Sequence, residues 1–191
     1  MPTAAEKLTK DLEFVELLAA QIDDYLMSDT IFWKTTHPSL PDLTLGGYLM
    51  RQARLLALRK SLNKAEQARL DTSVAQFNQA IVDKGPRFSQ KAQQELEARL
   101  RQWDEYLKDV MEDRGGAVNY STAAETRTMI AALLDKLQIT DYSISPHIPD
   151  KLNTLDDKLR RQWQSDGFIW PDEWQPAYPQ AMYWWLYGQP A

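Results

Sequence analysis

Catalysis or metal binding on a helical chain needs side chains that share a face, and the two histidines are the first residues to test. His37 has Lys34 three residues before it, and His147 has Ile144 and Ser143 at three and four. A zinc or di-iron site on helices draws on Glu or His at i, i+3 or i, i+4, because that spacing aims both ligands the same way. Neither histidine sits in such a frame. Both flank prolines, so both are assigned to loops and no metal ligand or cofactor is expected. Carboxylates alone can hold a hard divalent cation, and acidic pairs occur at Asp23-Asp24, Asp104-Glu105, Glu112-Asp113 and Asp156-Asp157. None repeats as Glu-x-x-Glu or Glu-x-x-Asp on one inward face, so they read as solvated helix surface, with a divalent-metal carboxylate enzyme as the least favoured function.

Phosphate and acyl chemistry fare no better. Gly46-Gly47 and Gly115-Gly116 lack the G-x-x-x-x-G-K and G-x-G-x-x-G frames that cradle phosphates, and no G-x-S-x-G elbow presents a serine. The chain has no cysteine, which removes disulfides, thiolate metal sites and a cysteine nucleophile. No catalytic residue is assigned, and the protein is expected to bind rather than to catalyse.

Two segments stand out as binding candidates. Within 44–62, Arg51, Arg54 and Arg59 lie among leucines distributed around the rod, so their guanidinium groups must reach a carboxylate, a carbonyl or a bound anion. Residues 6–29 carry seven acids against two lysines, and residues 43–69 carry six bases against one glutamate. Pairing between these stretches is the favoured reading. The alternative is a small-molecule site in which Arg51 or Arg54 meets an anionic group while Trp33, His37, Trp170 or Trp174 lines or stacks on the ligand.

The other segment is 168–187, where eight of twenty residues are aromatic. Pro171, Pro176 and Pro179 keep it from hiding those rings in one helical stripe. Each ring buries about 150–250 Å² in a packed protein. Stapling the rings across the helices is the favoured outcome. A protein interface anchored by Tyr183, Trp184, Trp185 and Tyr187 comes second, and a stacking surface for a flat ligand third.

The elements that must position these residues are helices. Leu8, Leu12, Val15, Ala19, Ile22 and Leu26 are separated by 4, 3, 4, 3 and 4 residues, a single apolar seam behind a Thr3–Glu6 capping box. Further helices are expected over 44–62 and over 64–83, the latter with a seam of Leu70, Val74, Phe77 and Ile81 and stopped by Gly85-Pro86. A fourth, opened by Ser89 and closed by Gly115-Gly116, carries Leu96, Leu100, Trp103, Leu107 and Val110. A fifth starts at a Thr122–Glu125 capping box and buries Thr126, Ile130, Leu133 and Leu137. A sixth runs from Pro149 to Ser165 and is ended by Gly167. A short last helix is placed at 179–187, between Pro179 and Gly188. No strand is expected, because no period-2 alternation is bounded by turn residues. Pro38-Ser39-Leu40-Pro41-Asp42 and Pro146-His147-Ile148-Pro149-Asp150 share a form. A duplication would explain this, but proline and an acid suit any helix entrance, and that simpler origin is preferred.

The fold class that follows is all-α, an antiparallel bundle of about six helices. A single domain is expected, with 1–167 as the bundle and 168–191 as an aromatic, proline-rich tail packed on it. A hydrophobic fraction of 43% with 26% charged residues is ordinary for a globular chain. Met1 to Lys10 has no apolar signal core, and no stretch reaches the roughly 18 apolar residues that span a bilayer, so a cytoplasmic location and no membrane partner are expected. A net charge of −5 argues against nucleic acid as partner. The leading functional expectation is a protein-binding bundle, self-association included.

Overall fold

The computed structural model describes residues 3–112 and 119–191, and these form two compact units, Met1–Glu95 and Leu96–Ala191. Six α-helices account for most of the described residues, and among them none is long and apolar enough to cross a membrane.

The first unit begins with α1 (Ala4–Met27). Its capping box forms: the Glu6 amide donates to Thr3 Oγ1 at 3.2 Å and the Thr3 amide to Glu6 Oε2 at 2.6 Å. Every residue of the expected seam from Leu8 to Leu26 is buried, and Phe14, Leu18 and Tyr25 widen the stripe. α2 (Leu45–Ala57) is capped by Thr44 and is shorter than the sequence suggests, since the chain tightens into a 3-10 turn at Arg59–Ser61. Asn63 then opens α3 (Lys64–Asp83) with a second capping box, to Glu66. Phe14 and Asp11 of α1 meet Arg51 and Arg54 of α2 in reverse order, and Tyr48 of α2 and Arg59 of the 3-10 turn after it meet Phe77 and Asp71 of α3 in reverse order. The three helices therefore run up, down and up.

α4 (Gly85–Met111) starts only one residue after α3 ends. The expected opening at Ser89 is too late, because Pro86 sits comfortably in a first turn where its missing N–H costs nothing. Residues 85–95 belong to the first unit and 96–111 to the second. The expected stop at Gly115-Gly116 lies outside the described residues.

The second unit adds α5 (Tyr120–Ile139) and α6 (His147–Arg161). No side-chain cap forms at the start of α5; instead Asn119 takes the left-handed conformation, φ 67°, and the helix begins two residues before Thr122. α6 ends at Arg161, short of Ser165. Trp163–Ser165 is instead a strand, β1, paired antiparallel with β2 (Gly188–Pro190). This small sheet corrects the expectation of no strand. Gly188 allows it: at φ 154° a Cβ there would lie 2.2 Å from the Gln164 carbonyl oxygen. The helix expected over 179–187 is likewise replaced. Turns and a 3-10 segment at Trp184–Leu186 follow another 3-10 segment at Asp172–Ala177. The two proline-containing loops also differ, since Pro149 and Asp150 lie in the first turn of α6 whereas Pro41 and Asp42 precede an extended bridge between Leu43 and Trp33.

α1 and α2 are joined by charge as well as by leucines. Asp11 is buried, with Arg54 Nη1 at 2.8 Å and Arg51 Nε at 3.3 Å. Asp11→Asn leaves two largely buried guanidinium groups without this carboxylate, and it is expected to lower the unfolding free energy by about 3 kcal/mol. Urea titration reads this as a lower midpoint at unchanged slope, while Asp71→Asn, which breaks the solvent-facing pair with Arg59, leaves the midpoint in place.

Candidate functional site

The arginines singled out from the sequence are drawn into the first unit's core. Arg54 is 2% exposed. Arg51 also donates to the Gly47 carbonyl oxygen at 3.0 Å and lies 4.3 Å from the centre of the Phe14 ring. Gly47 makes this approach feasible, because a Cβ there would sit 2.9 Å from Thr44 Oγ1 and 3.0 Å from Phe14 Cζ. At the same helix start, the Gly46 amide donates to Glu95 Oε2 at 2.9 Å, a carboxylate with no exposure at all. An anion already occupies the first turn of α2, and it is the protein's own. Arg59 lies at the surface with Asp71, and Arg69 pairs with Glu16 at 2.5 Å, as the opposite charge balance of the two stretches suggests.

Trp33 packs edge-on against Tyr25 with centroids 5.9 Å apart. His37 is exposed, with Ser39 Oγ 3.2 Å from its Nδ1. Among the described residues no carboxylate meets its other nitrogen, so this is a local loop contact rather than an oriented base. Lys91, unnoticed in the sequence, lies just inside this end of the unit and is 4% exposed. Its Nζ donates to the Ser28 and Thr30 carbonyl oxygens, both at 2.8 Å, and lies 4.4 Å over the Tyr25 ring. Burial lowers its pKa, with Arg87 pushing the same way and Asp29 and Glu95 opposing.

In the second unit the tail's rings pack on one another and on α5. Trp170 and Trp174 are buried with centroids 6.2 Å apart, and Trp170 Nε1 donates to the Ser121 carbonyl oxygen at 3.0 Å. Trp185 is 3% exposed. Its Nε1 donates to Thr128 Oγ1 at 3.1 Å, and its ring lies 3.9 Å beneath the Arg127 guanidinium. Arg127 in turn makes a fork with Asp156 of α6, at 2.9 and 2.8 Å. Tyr187 is buried and donates to the Tyr178 carbonyl oxygen at 2.7 Å. Of the four candidate interface residues, Trp185 and Tyr187 are thus enclosed. Tyr183 and Trp184 remain half-exposed, beside Met182 at 67% exposure.

The candidates therefore fall into separate groups: Trp33, His37, Arg51 and Arg54 in the first unit, and Trp170, Trp174 and the 183–187 rings in the second. Arg127 and Arg160, which the sequence reading passed over, are the cations that the rings use. Their signal was a base placed beside seam positions of α5 and α6.

One member of three of the acidic pairs is held by a cation, Asp23 by Lys84, Asp156 by Arg127 and Asp104 by three lysines. Asp113 is outside the described residues, and among those described no three His, Asp or Glu gather as a metal site. Burial pushes the Tyr120 phenol up, and pushes Tyr106 up to about 12, so neither ionises near neutrality. No protein family, curated protein or solved structure matches the chain, and function must be read from these groups directly.

Asp104 supplies a pH signature. Burial works to raise its pKa, but Lys151 at 2.8 Å, Lys108 at 3.2 Å and Lys158 at 3.4 Å pull it down to about 2. Its ionised form is favoured by folding, so this stabilisation is complete above the unfolded value of 3.8 and is lost as pH falls towards 2. Asp104→Asn should cost about 1–2 kcal/mol at neutral pH, allowing for screening of the lysines. Denaturation curves of the variant and the parent should converge near pH 2.

Proposed function

We propose that this protein acts by binding another protein through Met182, Tyr183 and Trp184, with Arg160 at the edge of the contact. The observation that supports this reading is the pattern of exposure along seven residues of the tail. Trp185, Leu186, Tyr187 and Gly188 turn inward, and Met182, Tyr183 and Trp184 keep exposed surface. Met, Tyr, Trp and Arg are the residue types enriched at protein interfaces.

The half-exposed rings are also held still. Trp184 meets Trp163 edge to face at 5.1 Å and Trp185 at 6.1 Å, and the Arg160 guanidinium lies 3.8 Å over it. Tyr183 is braced by Tyr178 at 5.1 Å and Trp185 at 5.4 Å. A ring that is already fixed loses little rotamer freedom when a partner covers it, which makes it an efficient anchor. The small-ligand reading at Arg51 and Arg54 has no comparable support, because both guanidinium groups are turned into the first unit's core towards Asp11.

A second copy of the chain is the first partner to test. Light scattering of the purified protein across a concentration series should report association, and Trp184→Ser should weaken it by about 2 kcal/mol, roughly 30-fold in Kd. A photo-crosslinking side chain at position 182 should capture one discrete adduct in cells, and Trp184→Ser should abolish it. A monomer at every concentration together with no adduct contradicts the proposal.

A further inference from the structure

A polar recess in the first unit points to a ligand unrelated to the ring-bearing face of the second. It holds about 180 Å³ and is lined by Leu26, Ser28 and Asp29 at the end of α1 and by Arg87, Gln90, Lys91 and Gln94 of α4. The four α4 residues are spaced i, i+3, i+4 and i+7, so they form one continuous stripe. The two walls carry opposite polarity. On the α1 side is the Asp29 carboxylate, which favours a cation, while the carbonyl oxygens that follow the helix already hold Lys91. On the α4 side are Arg87 and, beneath it, the buried ammonium of Lys91, which favour an anion.

The state of each group narrows the ligand. All three Lys91 protons are engaged by Ser28 and Thr30 oxygens at 2.8, 2.8 and 3.2 Å, so Lys91 contributes field and not a further hydrogen bond. Asp29 and Arg87 approach only to 4.0 Å, and the Asp29 side chain is fully exposed. So long a contact in water contributes little and is easily exchanged for ligand groups. Gln90 and Gln94 are exposed amides with no protein partner among the described residues. A simple anion would meet the Asp29 carboxylate, and a simple cation would meet Arg87. A small molecule carrying an ammonium and a carboxylate on one carbon satisfies both walls.

We propose that this recess binds a free α-amino acid, with its carboxylate on Arg87, its ammonium on Asp29, and its side chain along Leu26 towards the Gln90 and Gln94 amides. The site is independent of the protein-binding reading above and stands or falls separately.

Isothermal titration of the full-length protein with L-glutamine and with L-leucine tests it. At least one should bind. For that one, the analogues lacking a charge (glutaramate and γ-aminobutyramide for glutamine, isocaproate and isopentylamine for leucine) should bind at least tenfold more weakly. Asp29→Asn and Arg87→Ala should each weaken binding at least tenfold. Both positions are solvent-facing, so unchanged circular dichroism and melting should accompany the loss, and Gln79→Ala, an exposed change on α3 outside the recess, should retain binding within a few fold. Absence of binding by both amino acids, equal affinity for a singly charged analogue, or affinity unmoved by the Asp29 and Arg87 variants would each overturn the proposal.

Discussion

A guanidinium that has left water must find its counter-charge inside the protein, and this requirement organises both halves of the chain. Transfer of an unpaired ion into the interior costs several kcal/mol, and Arg54, 2% exposed, has Asp11 2.8 Å away. That pairing fixes which face of α2 meets α1. It brings Arg51 over Phe14 and requires glycine at position 47. In the second unit the fork between Arg127 and Asp156 does the same for α5 and α6. There the cation has a further role, because its flat face covers Trp185 and so gives the tail a place to dock.

Once Trp185 is docked, the remaining geometry of the tail follows. Tyr120 donates to the Trp185 carbonyl oxygen at 2.6 Å, and Gly188 lets β2 close on β1. The Ala191 amide donates to the Gln162 carbonyl oxygen at 2.7 Å, extending the attachment beyond the strand. A segment fastened at Tyr178 on one side and at Trp185 on the other, with the Met182 and Tyr183 amides donating to the Pro179 carbonyl oxygen, has little freedom at 182–184. The exposed rings are therefore presented by a rigid support, as the proposed contact with a partner requires.

Much of the frame was legible in the chain itself. Apolar residues at alternating three- and four-residue gaps marked the buried stripe of α1, and of the expected α3 seam Leu70, Phe77 and Ile81 are buried while Val74 is only partly so. The charge asymmetry between 6–29 and 43–69 anticipated Asp11 with Arg51 and Arg54, and Glu16 with Arg69. What escaped notice depends on contacts distant in sequence. β1 and β2 are three residues each and 25 positions apart at their starts, with no alternation to betray them. Their pairing depends on a glycine conformation and on the Tyr120 ring at the start of α5, which packs on Trp163. The start of α5 at Tyr120, ahead of a good capping sequence, reflects the same override: Tyr120 is buried against Trp163 and tied to Trp185, and tertiary packing outweighs a local cap.

The candidate site was legible in composition but not in arrangement. Eight rings in twenty residues announced that the tail mattered, yet only the positions of Arg127, Arg160 and Thr128 decide which rings turn inward. Lys91 was invisible for a similar reason. A lysine on a long charged helix looks solvated until the end of α1 places two carbonyl oxygens above it.

Native-state hydrogen exchange bears most directly on the claim that the tail is fastened by the Arg127 clamp and belongs to the fold. The amides of Asp166, Gln189 and Ala191 should exchange with protection close to that of the middle of α5, and Arg127→Met should lower both together. Rapid exchange of 184–191 while α5 stays protected would contradict the account, because the rings at 182–184 would then sit on a loose strand and not on a rigid support.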